Sequence, residues 1–167
     1  QGNFVNSGRV SLEFRNFILN PLDLAMTMMT RCGAPESFMA LTEQAFLGQQ
    51  ELIETWSAAS EAWTSWRSSW ARAQLQQAIS LPPEQRYIAI AGIAGLPEFF
   101  AARGIAADQA RQCLADGAAA ETLVRQTEKQ GQDYDITGTP SFVINGRKVD
   151  ANTWPEIKAQ LERLGAR

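Results

Sequence analysis

Apolar positions change their period along this chain, and the changes mark its elements. Residues 10–15, "VSLEFR", alternate: Val10, Leu12 and Phe14 point one way, the signature of a half-buried strand. Asn6, Ser7 and Gly8 form a turn ahead of it, and Phe4 and Val5 read as the end of an earlier element. From Pro21 to about Gln132 the period becomes helical. Leu22, Met26 and Met29 share a face, with Leu24, Met28 and Cys32 beside it. Phe38, Leu41, Ala45 and Phe46 are expected inward on the next helix. Trp56, Trp63, Trp66 and Trp70 form a heptad-like stripe, read as core packing or else as the lining of a peptide groove. Pro82 and Pro83 suit a helix start, Gly92 and Gly95 suit close helix approach, and Gly131 suits a C-terminal stop.

After the helices come two short runs, "SFVI" and "RKVD", joined by Asn145-Gly146. Both central positions of a type I′ turn need positive φ, so Asn-Gly between such runs predicts a hairpin. The last helix is marked by Thr153 and Glu156, which make a Thr-x-x-Glu capping box, with Pro155 in the first turn. Trp154, Ile157, Leu161 and Leu164 form its apolar stripe, and Gly165 ends it. The order is strand, many helices, hairpin, helix. One helix suffices for an ordinary crossover, so the extra helices predict an inserted helical subdomain on a small sheet.

Composition narrows the chemistry. The chain has 167 residues, a 45% apolar share and a net charge of −3. Its acids and bases are mixed, so no basic stripe suggests a nucleic-acid partner. No apolar run is long enough to span a membrane. There is no histidine, which excludes a Ser-His-Asp relay, a Cys-His pair and imidazole metal ligands. Two cysteines are too few for a structural zinc site, and no phosphate-cradling glycine loop is present. No metal or cofactor is expected. Glu36, Glu43, Glu51, Glu54 and Glu61 read as a solvated helix face.

Taken alone, Pro140 reads as a rigid trans turn that starts a strand, and Cys32 and Cys113 as two buried thiols or one disulfide. The stretches "SGRVSLEFRNFILNPLDLA", "TRCG", "CLAD" and above all "YDITGTPSFVINGR" resemble the DsbA-like thiol:disulfide oxidoreductases. The resemblance runs from about Val10 to Gly165. It implies an α/β fold: a thioredoxin-like core over residues 1–20 and 133–167, with a large all-helical insertion over 21–132. It implies that Gly138, Thr139 and Pro140 are the substrate-binding cis-proline loop, with the Thr139 hydroxyl near the reactive sulfur. It adds weight to a structural disulfide between Cys32 and Cys113, and hence to an oxidising compartment, the bacterial periplasm, reached through a signal peptide that residues 1–167 do not show.

One departure is large. The redox Cys-x-x-Cys of that family is absent from residues 1–167. The expectation is therefore a chain lacking the first strand and redox helix, inactive by itself, from a parent that oxidises or isomerises disulfides in secreted proteins. Its substrates would be unfolded or reduced secreted proteins, with a membrane redox partner compatible and a monomeric state favoured. Two other readings stay open: a non-redox thioredoxin-like peptide-binding or chaperone module, and a glutathione-using isomerase relative. A further expectation concerns the sheet: residues 10–15 and 141–144 should not be direct ladder neighbours.

Overall fold

The computed structural model describes residues 4–50, 52 and 66–166, with 66–72 described by backbone alone. Trp56, Trp63, Glu51, Glu54 and Glu61 lie outside the described residues. Trp66 and Trp70 lie on helical backbone. The chain divides into two compact units, residues 18–124 and residues 1–17 with 125–167.

The first unit is helical. It contains α1 (Pro21–Thr30), a 3₁₀ turn (Pro35–Ser37), α2 (Phe38–Leu47), α3 (Trp66–Ser80), α4 (Pro83–Ile93), α5 (Leu96–Ala101), α6 (Ala107–Ala115) and the start of α7 (Gly117–Tyr134). Each start has a local cause. Asn20 caps α1: its side-chain oxygen accepts from the Leu22 and Asp23 N–H groups at 2.9 and 3.0 Å, and Pro21 follows as the first helical residue. Pro83 opens α4 and Pro97 sits in the first turn of α5, where a missing N–H costs little. Helix α4 lies at the centre, packing on α1, α3, α5 and α6. Its Ile90 and Ala91 are fully buried, and Met29, Leu96, Phe100 and Leu114 close around them.

Two packing expectations change here. Phe46 is 62% exposed, while Thr42 is buried in its place. The buried face of α2 is Leu41, Thr42 and Ala45, so the inward stripe stops one position short of Phe46. Gly92 has open space around it, whereas a Cβ on Gly48 would run into the Phe99 ring. Small size thus permits a close approach at Gly48, and Gly92 is not such a place.

The second unit holds residues 4–17, the end of α7, a hairpin of β1 (Phe142–Ile144) and β2 (Arg147–Val149), and α8 (Trp154–Arg163). The strands are antiparallel, in the register Phe142 opposite Val149, Val143 opposite Lys148 and Ile144 opposite Arg147. Asn145 at φ 50° and Gly146 at φ 78° form the turn, as the Asn-Gly pair predicts. Phe142, Ile144 and Val149 are half-buried, while Val143 and Lys148 face outward together.

Residues 10–15 do not form the strand that their alternation predicts. The hairpin strands pair only with each other, so among the described residues 10–15 and 141–144 share no ladder. A strand exists through its neighbour's hydrogen bonds, and periodicity cannot supply them. Leu12 is accordingly 54% exposed. The expected stripe of α8 is also only partly covered: Ile157 is buried, but Trp154 and Leu164 are 55% and 60% exposed. The Trp154 edge nevertheless meets the buried Phe4 ring, with centroids 5.8 Å apart and planes at 78°.

The capping box of α8 forms. The Glu156 carboxylate accepts from the Thr153 hydroxyl at 2.7 Å, the Thr153 N–H at 3.1 Å and the Asn152 N–H at 3.3 Å. The Thr153 hydroxyl first, and then these two N–H groups, hold the carboxyl below its ordinary pKa. A carboxyl that is more acidic folded than unfolded stabilises the fold above its unfolded pKa. It loses that contribution as pH falls through its folded pKa. The Thr153 amide proton is therefore expected to titrate below the usual glutamate value, and not to titrate in Glu156→Gln. NMR titration checks this, and a shift at the ordinary value, or one persisting in the variant, would refute it.

Candidate functional site

The loop from Asp135 to Ser141 is built at the exit of α7. The helix continues through Gly131 to Tyr134, three residues beyond the expected stop. It ends in a Schellman arrangement, in which the Ile136 N–H donates to the Gly131 carbonyl at 3.2 Å. The residue that turns the chain there is Asp135, at φ 55°. Non-glycine residues seldom adopt the left-handed region, and aspartate is among the more tolerant. Asp135 thereby redirects the chain out of the helix, and its carbonyl accepts from Lys148 Nζ at 2.6 Å.

Further along, the Thr139–Pro140 peptide bond is cis. Gly138 is half-buried, and Thr139 and Pro140 are exposed. The Ser141 hydroxyl donates to the Gly138 carbonyl at 2.7 Å, spanning the loop from one side to the other. Among the described residues, the N–H and carbonyl of Thr139 carry no hydrogen bond. This presents an exposed residue with its backbone N–H and carbonyl unpaired, just ahead of β1. Chemically it can pair with an extended chain laid alongside, as a strand adds to a sheet edge.

Gly138, Thr139 and Pro140 thus share one loop. Cys32 and Cys113 lie elsewhere, in the helical unit, joined as a disulfide with S–S 2.06 Å and Cα atoms 5.7 Å apart. The bond ties the segment after α1 to α6. Beside it, Gln109 Nε2 donates to the Cys32 carbonyl at 2.8 Å. Cys32 is buried and Cys113 half-buried. Among the described residues no free cysteine is left, and no group of three His, Cys, Asp or Glu could hold a metal ion. None of the described helices is long and apolar enough to cross a membrane. Glu36 and Glu43 are exposed.

Residue-type reasoning passed over Lys148, Asp135, Ser141 and Gln109. For Lys148 a signal existed: the Asn-Gly turn fixes the hairpin register, which sets Lys148 on the same face as Val143. What it reaches from there depends on the backbone of Asp135, which no side-chain pattern announces.

The family model described as thioredoxin matches residues 2–163. Among solved structures, the chain is similar to the crystal structure of protein-disulfide isomerase from Novosphingobium aromaticivorans. The TM-score is 0.77 at 27% sequence identity, covering 94% of this chain and 77% of that one. No curated protein matches by sequence.

Proposed function

This chain belongs to the thioredoxin family, and from that premise we propose that its parent protein is a thiol:disulfide oxidoreductase acting on secreted proteins. The observation that carries the reading is the exposed Thr139 peptide group, unpaired among the described residues, beside Pro140. In this reading Gly138, Thr139 and Pro140 hold an extended stretch of substrate against the site of exchange. The solved structure similar to this chain is named a protein-disulfide isomerase, which supports disulfide chemistry on this scaffold.

The exchanging thiols are not Cys32 and Cys113. That pair is already bonded within the helical unit, and Cys32 is buried. The nucleophile is instead supplied by a Cys-x-x-Cys outside residues 1–167. Its thiolate attacks one sulfur of a substrate disulfide, forms a mixed disulfide and expels the other substrate sulfur as a thiolate. Attack by the second thiol, or by the expelled one, then resolves the mixed disulfide. The Thr139 hydroxyl, facing that thiolate, would stabilise it by hydrogen bonding and so raise the thiolate fraction that sets the rate. Whether the parent oxidises or isomerises depends on that thiol pair. The Cys32–Cys113 bond supports an oxidising compartment, and the reading places the parent in the periplasm.

An insulin-reduction assay tests the reading. Residues 1–167 alone are expected to add nothing to the background rate with dithiothreitol, while the gene product with its upstream segment accelerates it. Acceleration by residues 1–167 alone would overturn the assignment of the nucleophile. An upstream sequence without a Cys-x-x-Cys would replace the enzyme with a non-redox peptide-binding module.

A further inference from the structure

We propose that Lys148 is the positioning residue of the Gly138–Pro140 loop, an inference that rests on the functional reading above only for what the loop binds. The loop is anchored at both ends. At its far end it runs into β1, which is held by ladder bonds to β2. At its near end it leaves α7 through Asp135, a left-handed residue without the freedom of glycine. Such a residue holds its conformation only where surrounding contacts over-determine it. Two contacts do so here. The Ile136 N–H to Gly131 carbonyl bond ties the exit back to the helix, and Lys148 Nζ takes the Asp135 carbonyl at 2.6 Å.

The second contact differs in kind. Lys148 is on β2, so its bond closes a ring. The chain leaves Asp135, passes through the loop, β1 and the Asn-Gly turn, and returns on β2 to Asp135 over a separation of 13 residues. Among the described residues no other hydrogen bond joins the near end of the loop to the hairpin. The Ser141 to Gly138 bond lies inside this ring and shapes its tip. The bond is charge-assisted and short, the stronger sort of hydrogen bond. The requirement is a long cationic donor opposite Val143, which arginine meets and methionine does not.

The experiment uses the whole chain with Lys148→Met, Lys148→Arg and, as a control for lost positive charge, Lys129→Met on α7. Two readouts are taken: amide hydrogen exchange of Ile136, whose N–H is held on the Gly131 carbonyl, and affinity for a short valine- and threonine-rich peptide with blocked ends. In Lys148→Met this amide is expected to exchange about fivefold faster, the change a net hydrogen bond of ordinary strength confers. Peptide affinity should fall in parallel. Lys148→Arg should restore both, and Lys129→Met should change neither. Unchanged exchange in Lys148→Met, or equal acceleration in Lys129→Met, would overturn the positioning role. Faster exchange restored by arginine, in a protein that does not bind the peptide at all, would uphold Lys148 and refute the substrate reading of the loop.

Discussion

Removing the Cys32–Cys113 disulfide is expected to lower unfolding stability by roughly 4 kcal/mol, as chain entropy implies for so long a closed loop. The bond encloses 81 residues of sequence separation. A cross-link of that span confines the unfolded chain far more than the folded one, so the loss enters mainly through the unfolded state. The folded state has an independent tie at the same place, the Gln109 side chain on the Cys32 carbonyl, which involves neither sulfur. The Cys32→Ala/Cys113→Ala variant should therefore keep its helical circular dichroism while its urea midpoint falls. Its denaturant slope should rise, because a less confined unfolded chain exposes more surface. Wild type under dithiothreitol should behave alike. An unchanged midpoint would mean that the bond constrains little, and lost helix signal in native buffer would mean that Gln109 cannot hold the junction by itself.

The site and the fold were legible in the sequence to the extent that each feature is local. Asn145-Gly146 and the Thr153–Glu156 box specify themselves within a few residues, and both form. "TGTP" entering a hairpin carried the family resemblance, and the thioredoxin match over residues 2–163 rests on the same chain. Features that depend on a neighbour were not legible. The alternation of Val10, Leu12 and Phe14 describes a strand's faces but not its ladder, and no ladder forms there. Gly131 looked like a helix stop because glycine commonly occupies the left-handed position after a helix. Asp135 takes that position instead, and Gly131 serves as the carbonyl acceptor within the last turn. The reach of Lys148 follows from that substitution of roles, so a reading that ends the helix at Gly131 cannot find it.

Phe100→Ala is expected to cost about 3–5 kcal/mol, the range for emptying a fully buried aromatic position. Phe100 is 0% exposed, on a helix that begins immediately after the left-handed Gly95. Its ring meets the edge of Phe99 at 5.2 Å between centroids. Phe99 is itself held in place: the Arg103 guanidinium lies 3.4 Å from its centroid and donates to the Phe99 carbonyl at 2.6 Å. A neighbour held by a cation and a backbone bond cannot slide into the space that Phe100 leaves, so the cavity should persist and the cost should fall at the upper end. Leu12→Ala provides the contrast. Alternation alone makes Leu12 a core residue, which would cost about 2–5 kcal/mol. Its exposure instead predicts a change within about 0.5 kcal/mol. Urea denaturation of both variants decides the matter. A small loss at Phe100 would mean that α5 repacks, and a large loss at Leu12 would mean that residues 10–15 are covered in solution.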